Sequence, residues 1–335
     1  MQKRQIFGHF YLSALFVGII AAVIQPVFAA PLPDGMSERA LMVDGTQRHY
    51  LLYKAKPHKT FSAAVVLLHG GGQSMRKLFA PNRAGSRKWL DIAEQHNILL
   101  IVPNGTNPKT GDTDGDRQHW NDLRRARSAG NSTADDVQFI STLIDALKAD
   151  IAFEPTQVYV TGASNGGMMT FRLLIERPEK FAAGVAVIAN LPKEEVARAR
   201  APTPIMIMNG TEDKLILYDG GPVAGGRRGD TRSTDATLDY WIDVNRADRS
   251  GAVTRPLPDR DPSDGCRLIE TLYPAGDGGQ DVLFVKMDGG GHTIPAKNAK
   301  TLGWMAKRVL GTQCRDADGA ALAWAFMRHH SLLKN

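Results

Sequence analysis

Gly162-Ala163-Ser164-Asn165-Gly166 sets a serine midway between two glycines, directly after the apolar run Val158-Tyr159-Val160 and just before a helix-compatible stretch over 168–175. A serine on a tight strand-to-helix turn holds its hydroxyl clear of the sheet, and the glycines remove side chains that would collide where the backbone doubles back. Pro155 bounds the strand and Pro178 stops the helix, which is the context such a nucleophile elbow requires. The N-terminus of the helix also offers unpaired N–H groups to an oxyanion.

A serine hydroxyl is a weak nucleophile at neutral pH. It needs an imidazole to take its proton, and the imidazole needs a carboxylate to fix its tautomer. Of nine histidines, His292 alone follows the elbow in a glycine-rich turn, Gly289-Gly290-Gly291-His292, after an apolar run. The acid is expected at Asp213, in the turn after the apolar run 205–208, with Glu212 as its nearest competitor and Asp219, Asp239 and Asp243 as more distant ones. The oxyanion would be met by the N–H of Asn165 and by one from His69-Gly70-Gly71-Gly72, where Gly71 and Gly72 are the candidate donors. His69 is expected to orient that loop. Trp120 is a candidate wall for an acyl group or sugar, with a core-covering role as the alternative. Asp112, Asp114 and Asp116 alternate like a calcium loop but lack its glycine position and its glutamate, so they read as a solvated turn. No metal site and no dinucleotide fingerprint is found, and no cofactor is implied.

These residues must be held at strand ends, and the chain supplies the strands. An early antiparallel strand is expected over 48–56, a buried strand over 63–68, and further strands over 98–102, 184–188, 205–208 and 281–287. Helices are expected over 86–97, 133–150 and 234–245, the second opened by a capping signature at Ser132 and Thr133. A long polar loop fills 106–131. Alternating strands and helices predict an α/β fold with a mostly parallel central sheet. Each chemically suggestive residue lies just past the C-terminal end of a strand, the edge where sites assemble in such sheets.

HGGGQ at 69–73, VPNG at 102–105, WND at 120–122, DDVQFI at 135–140, GASNGGMM at 162–169, GTEDKLI at 210–216 and GGGHTIP at 289–295 together resemble the polyhydroxybutyrate depolymerase and feruloyl esterase group of exported α/β-hydrolases. The resemblance runs in order over nearly the whole chain after residue 30. It implies an α/β-hydrolase fold with Ser164 as nucleophile, Asp213 as acid and His292 as base. The chain departs from the group's usual residues at Asn209, at Ile294 and at His119, where histidine, tryptophan and cysteine are common, and these changes are expected to touch the pocket walls.

Residues 1–29 read as a signal peptide: Lys3 and Arg4, an apolar run over 10–24, then Val27-Phe28-Ala29 at the cleavage site. An uncleaved anchor is the alternative. Export to a secreted or periplasmic location is expected, leaving 30–335 as one catalytic domain free of the membrane. Of the +6 net charge, Lys3 and Arg4 carry two, so the remainder is +4, too little to argue nucleic-acid binding. Arg124, Arg125, Arg127, Arg227, Arg228 and Arg232 read as solvated surface. The two cysteines, Cys266 and Cys314, allow one disulfide, tying the segment before the last strand to that before the last helix. The expected function is hydrolysis of carboxylic esters, feruloyl-type aryl esters or short hydroxyalkanoate oligomers, through an acyl-enzyme. A peptidase or acyltransferase with the same triad, and a non-catalytic carbohydrate-binding protein on a hydrolase scaffold, are the alternatives.

Overall fold

Unbroken apolar runs become the centre of one large sheet. A computed structural model describes residues 31–54, 59–124, 132–194, 196–226 and 228–332. The expected signal peptide lies outside the described residues, as do Arg125, Arg127 and Arg227. The chain divides into two units, Met1–Pro31 and Leu32–Asn335, and the elements all lie in the second.

In chain order the strands are β1 (Met36–Val43), β2 (Thr46–Tyr53), β3 (Ala63–Leu68), β4 (Ile98–Pro103), β5 (Val158–Ala163), β6 (Ala183–Val187), β7 (Ile205–Gly210), β8 (Gly221–Pro222), β9 (Asp230–Thr231), β10 (Val253–Pro256), β11 (Arg267–Tyr273) and β12 (Val282–Asp288). The helices are α1 (Ala84–His96), α2 (Asp136–Asp150), α3 (Asn165–Glu176), α4 (Thr234–Val244), α5 (Trp304–Leu310) and α6 (Gly319–Met327). Ten strands form the sheet in the order β1-β2-β4-β3-β5-β6-β7-β12-β11-β10, and β8 and β9 form a separate ribbon. The run from β4 to β12 is parallel, and antiparallel pairs close both edges.

Every residue of β3, β4, β6 and β7 is buried, which is why these strands read as continuous apolar runs rather than alternations. Their two faces feed two cores. Ala64, Val66 and Leu68 pack with Phe139 and Ile140 of α2, Phe171 of α3 and Trp241 of α4. Ala63, Val65 and Leu67 pack with Trp89 and Ile92 of α1 and Trp324 of α6. The alternation follows from the period of two in a strand.

Local chemistry sets the boundaries. Asp44 and Gly45 both take positive φ (47° and 76°), the two-residue turn whose twist suits a hairpin between β1 and β2. Asn97 closes α1 in the left-handed region. The start of α2 differs from the sequence expectation: Asp135 is the cap, its carboxylate accepting the Gln138 N–H at 2.9 Å, while Ser132 accepts the Ala134 N–H one turn earlier. The helix therefore begins at Asp136. Cys266, just before β11, is disulfide-bonded to Cys314, with Cα atoms 5.3 Å apart. No described helix is long and apolar enough to cross a membrane.

Candidate active site

β5 delivers Ser164 at φ 58° and ψ −123°, a strained region for a residue with a Cβ. Surrounding structure holds it there. The Ser164 N–H donates to the Val187 carbonyl at 2.9 Å, and the glycines on either side allow close backbone contact. A Cβ on Gly162 would lie 2.4 Å from Gly166, and one on Gly166 2.4 Å from the Leu68 carbonyl oxygen. Neither glycine has a positive φ, so both are required for space rather than for conformation.

The candidate acid and base come from adjacent loops. Asp213 Oδ1 accepts the N–H groups of Leu215 and Ile216, both at 2.8 Å, and Oδ2 lies 2.7 Å from His292 Nδ1. The carboxylate side chain is 2% exposed and the imidazole 9%. An ionised acid at Nδ1 fixes the proton on that nitrogen and leaves Nε2 as the acceptor. The two loops are zipped together, since the Glu212 N–H donates to the Gly290 carbonyl at 2.8 Å and Gly289 N–H to Thr211 Oγ1 at 2.8 Å. Glu212 itself is exposed and turns away from this pairing.

The glycine loop after β3 lies over the elbow. A Cβ on Gly71 would sit 3.3 Å from the Asn165 Cβ, which brings Gly71 beside the residue following the serine. The two glycine candidates part here. The Gly72 N–H already donates to the Gln118 carbonyl at 2.8 Å, whereas among the described residues the Gly71 N–H has no protein acceptor. Asn165 opens α3, where an N–H has no carbonyl one turn back. Gly71 and Asn165 are thus the amides available to an oxyanion, and Gly72 shapes the loop.

Trp120 is not a pocket wall. It is fully buried, its indole N–H donates to the His69 carbonyl at 2.8 Å, and its ring stacks on His69 with centroids 4.7 Å apart. Its backbone N–H donates to Asn165 Oδ1 at 2.8 Å, so it braces the side chain of the residue after Ser164. His69 accepts the Gly105 N–H on Nε2 and faces the Gly70 carbonyl with Nδ1, which together specify the Nδ1-protonated tautomer. Burial holds its pKa down at about 4.

The Arg124 side chain is also not solvated: it is buried in a pair with Asp122, whose Oδ2 accepts from both Arg124 Nη2 at 2.7 Å and Asn165 Nδ2 at 2.6 Å. His119, one of the three departures from the family pattern, is also buried. Its Nδ1 is buried without a hydrogen bond and would lie 3.0 Å from a Cβ on Gly71, and burial, then Arg228 and Arg124, push its pKa down to about 4. Asn209 is likewise no pocket wall, because it is buried and its amide bonds Ala189, Asn190 and Thr234. The Asp112–Asp116 turn is solvated as expected, all three carboxylates being exposed, and it is tied down as well: Asp114 accepts from Arg76 and Asp116 from Ser74 Oγ, each at 2.7 Å. Glu38, His49 and Asp114 approach one another closely enough to suggest a cation site, and the Arg76 guanidinium, bonded to both carboxylates, already supplies the positive charge.

Residues 54–222 match the phospholipase/carboxylesterase family, half of the chain and both Ser164 and Asp213 included. The chain belongs to this family. It is a carboxylic ester hydrolase with the α/β-hydrolase fold. Over 284 residues it is 26% identical to NocK of Nocardia uniformis subsp. tsuyamanensis, an esterase by name, covering 81% of this chain and 77% of that one. Feruloyl esterase B of Piromyces equi is 27% identical over 51% of this chain, which spans only 31% of the length of that relative. Acetyl xylan esterase from Aspergillus awamori aligns structurally with a TM-score of 0.49 at 16% identity, covering 77% of this chain and 95% of that one.

In this esterase a small, open apolar crevice adjoins the elbow, lined by Leu78, Trp89, Ala163, Val187, Ile294 and Ala320. Ile294, two residues past His292, is therefore the one of the three departures that faces an apolar crevice.

Proposed function

We propose that this esterase hydrolyses its esters through a serine acyl-enzyme, with Ser164 as nucleophile, His292 as general base and then general acid, and Asp213 as its orienting carboxylate. The observation that carries the reading is the Asp213–His292 pair, with one carboxylate oxygen held by two backbone amides and the other on Nδ1. His292 Nε2 takes the Ser164 proton as Oγ attacks the ester carbon, and the Gly71 and Asn165 amides receive the developing oxyanion. The same proton then passes to the departing alcohol. Water, deprotonated by His292, releases the acid.

The apolar crevice beside Ala163 supports an apolar contact for the acyl group, and feruloyl-type esters are the leading substrates with hydroxyalkanoate oligomers the second. The feruloyl esterases among the relatives favour the first. Export is part of the same reading, supported by the leader-like segment 1–29 and by the Cys266–Cys314 disulfide, a bond typical of oxidising compartments. Two measurements test it. A fluorophosphonate probe should label Ser164 alone, and kcat/KM compared across methyl ferulate, acetyl-xylan oligomers, hydroxybutyrate oligomers and p-nitrophenyl esters of rising length should rank the substrates. Preferential cleavage of a matched amide, or absence of label on a folded protein, would overturn it.

A further inference from the structure

α5 contributes no buried residue to the molecule. Trp304 is 75% exposed, Met305 64% and Val309 54%, so three large apolar side chains of one short helix face solvent. At 100° per residue these three fall within one 140° arc, with Arg308 between them, while Ala306 and Leu310 take the opposite side and are half-buried. Exposed Lys297, Lys300 and Lys307 complete a basic set with Arg308. No acidic residue occurs between Asp288 and Arg315, and none of the four cations pairs with a carboxylate among the described residues.

The helix is anchored at the catalytic edge. Gly311 ends it and lies against Gly291, the Gly291 N–H donates to the Thr312 carbonyl at 2.9 Å, and the His292 N–H donates to the Leu310 carbonyl at 2.5 Å. Whatever α5 touches is therefore held beside the loop that carries the base.

An apolar crest ringed by unpaired cations is the pattern of an element that lies on an anionic interface, with aromatic and aliphatic side chains at the acyl boundary and lysines and arginines against headgroup phosphates. We propose that α5 docks this protein on an anionic lipid surface, with Trp304, Met305 and Val309 inserted and Lys300, Lys307 and Arg308 on the headgroups, so that esters at that surface reach Ser164 from the His292 side. The docking stands independently of the hydrolase reading; only its effect on rate rests on it.

The test is co-flotation of the full chain with phosphatidylcholine vesicles containing or lacking phosphatidylglycerol. Every variant keeps residues 1–29, so differences between variants report α5. Binding should favour the anionic vesicles and weaken in high salt. It should fall by about tenfold or more in Lys300→Glu/Lys307→Glu and in Trp304→Ser/Met305→Ser. Brominated lipids should quench tryptophan emission in the wild type and not in Trp304→Leu. kcat for soluble p-nitrophenyl acetate should be unchanged in these variants, which also shows that they fold, while hydrolysis of a vesicle-embedded ester falls with binding. Ser164→Ala should bind vesicles as the wild type does, which separates loss of docking from loss of chemistry. Equal binding to both vesicle types, or full binding by the variants, overturns the proposal. So does a concentration-dependent dimer that Trp304→Ser dissolves, which assigns the crest to a second copy, and so does retention on solid polyester without vesicle binding.

Discussion

Asp213 and His292 meet at 2.7 Å while Glu212, one residue away, is exposed, so the choice between neighbouring acids is decided by which side chain the Gly210–Asp213 turn points inward. Ser164→Ala and His292→Ala should each lower kcat on an activated ester by several orders of magnitude, and the double variant should be little worse than either, because residues of one proton-transfer chain are strongly non-additive. Asp213→Asn should be severe and Glu212→Gln nearly silent; steady-state kinetics on all four checks this, and a dead Glu212→Gln beside an active Asp213→Asn would reverse the assignment. His69 makes a separate prediction. Its folded pKa of about 4 lies below the ordinary 6.5, so the unfolded chain binds the extra proton between those values. The stability it contributes is fully present above about pH 6.5 and is lost as pH falls toward about 4, a change on the order of 3 kcal/mol. Urea midpoints across that range should fall more steeply for wild type than for His69→Gln. At this scale the sequence reveals groups whose chemistry needs a partner, such as Ser164 and His292. It does not reveal Trp120 as a buried brace or Arg124 as a buried ion, because burial is decided by elements far away in the chain.

The elements that sequence reading finds are those whose environment is uniform: β3, β4 and β7 are buried on both faces and announce themselves as apolar runs. The hairpin partner β1 is missed because only its last residue is buried, leaving no face to read, although Asp44-Gly45 is a recognisable hairpin turn. β10, whose four residues are all exposed, is hidden for the same reason. One long-range tie could not be anticipated at all. Arg48 of β2 bonds Asp136 at the start of α2 at 2.6 Å and lies over the Phe139 ring, both charges being buried. Arg48→Met should cost roughly 3–5 kcal/mol because it strands Asp136 as an uncompensated buried carboxylate. Arg48→Met/Asp136→Leu should recover part of that loss, the remainder reflecting the Asn121 N–H that Asp136 also accepts. Chemical denaturation of the single and double variants decides whether the cost lies in the pair or in the stranded charge.

Across the whole molecule, the glycine loop, Ser164, Asp213 and His292 follow the ends of β3, β5, β7 and β12 of one sheet, a placement legible because each of them follows an apolar run in the chain. What was not legible is how the last of these loops is backed. A Cβ on Gly290 would lie 2.8 Å from Cys314 Sγ, so the disulfide sits directly behind the base loop. Cys266→Ala/Cys314→Ala should lose about 2–5 kcal/mol of stability. Thermal unfolding under oxidising and reducing conditions should show the wild type falling to the level of the variant only when reduced. The same bond ties the chain before β11 to the chain just before α6, and the loop after β12 packs against it. Ser164 and Asp213 follow β5 and β7 inside the sheet, whereas the loop that carries His292 is backed by Cys314 from the segment before α6. Reduction of the bond should therefore loosen His292 before it disturbs Ser164 or Asp213, so that loss of kcat precedes loss of the fold as the bond is opened.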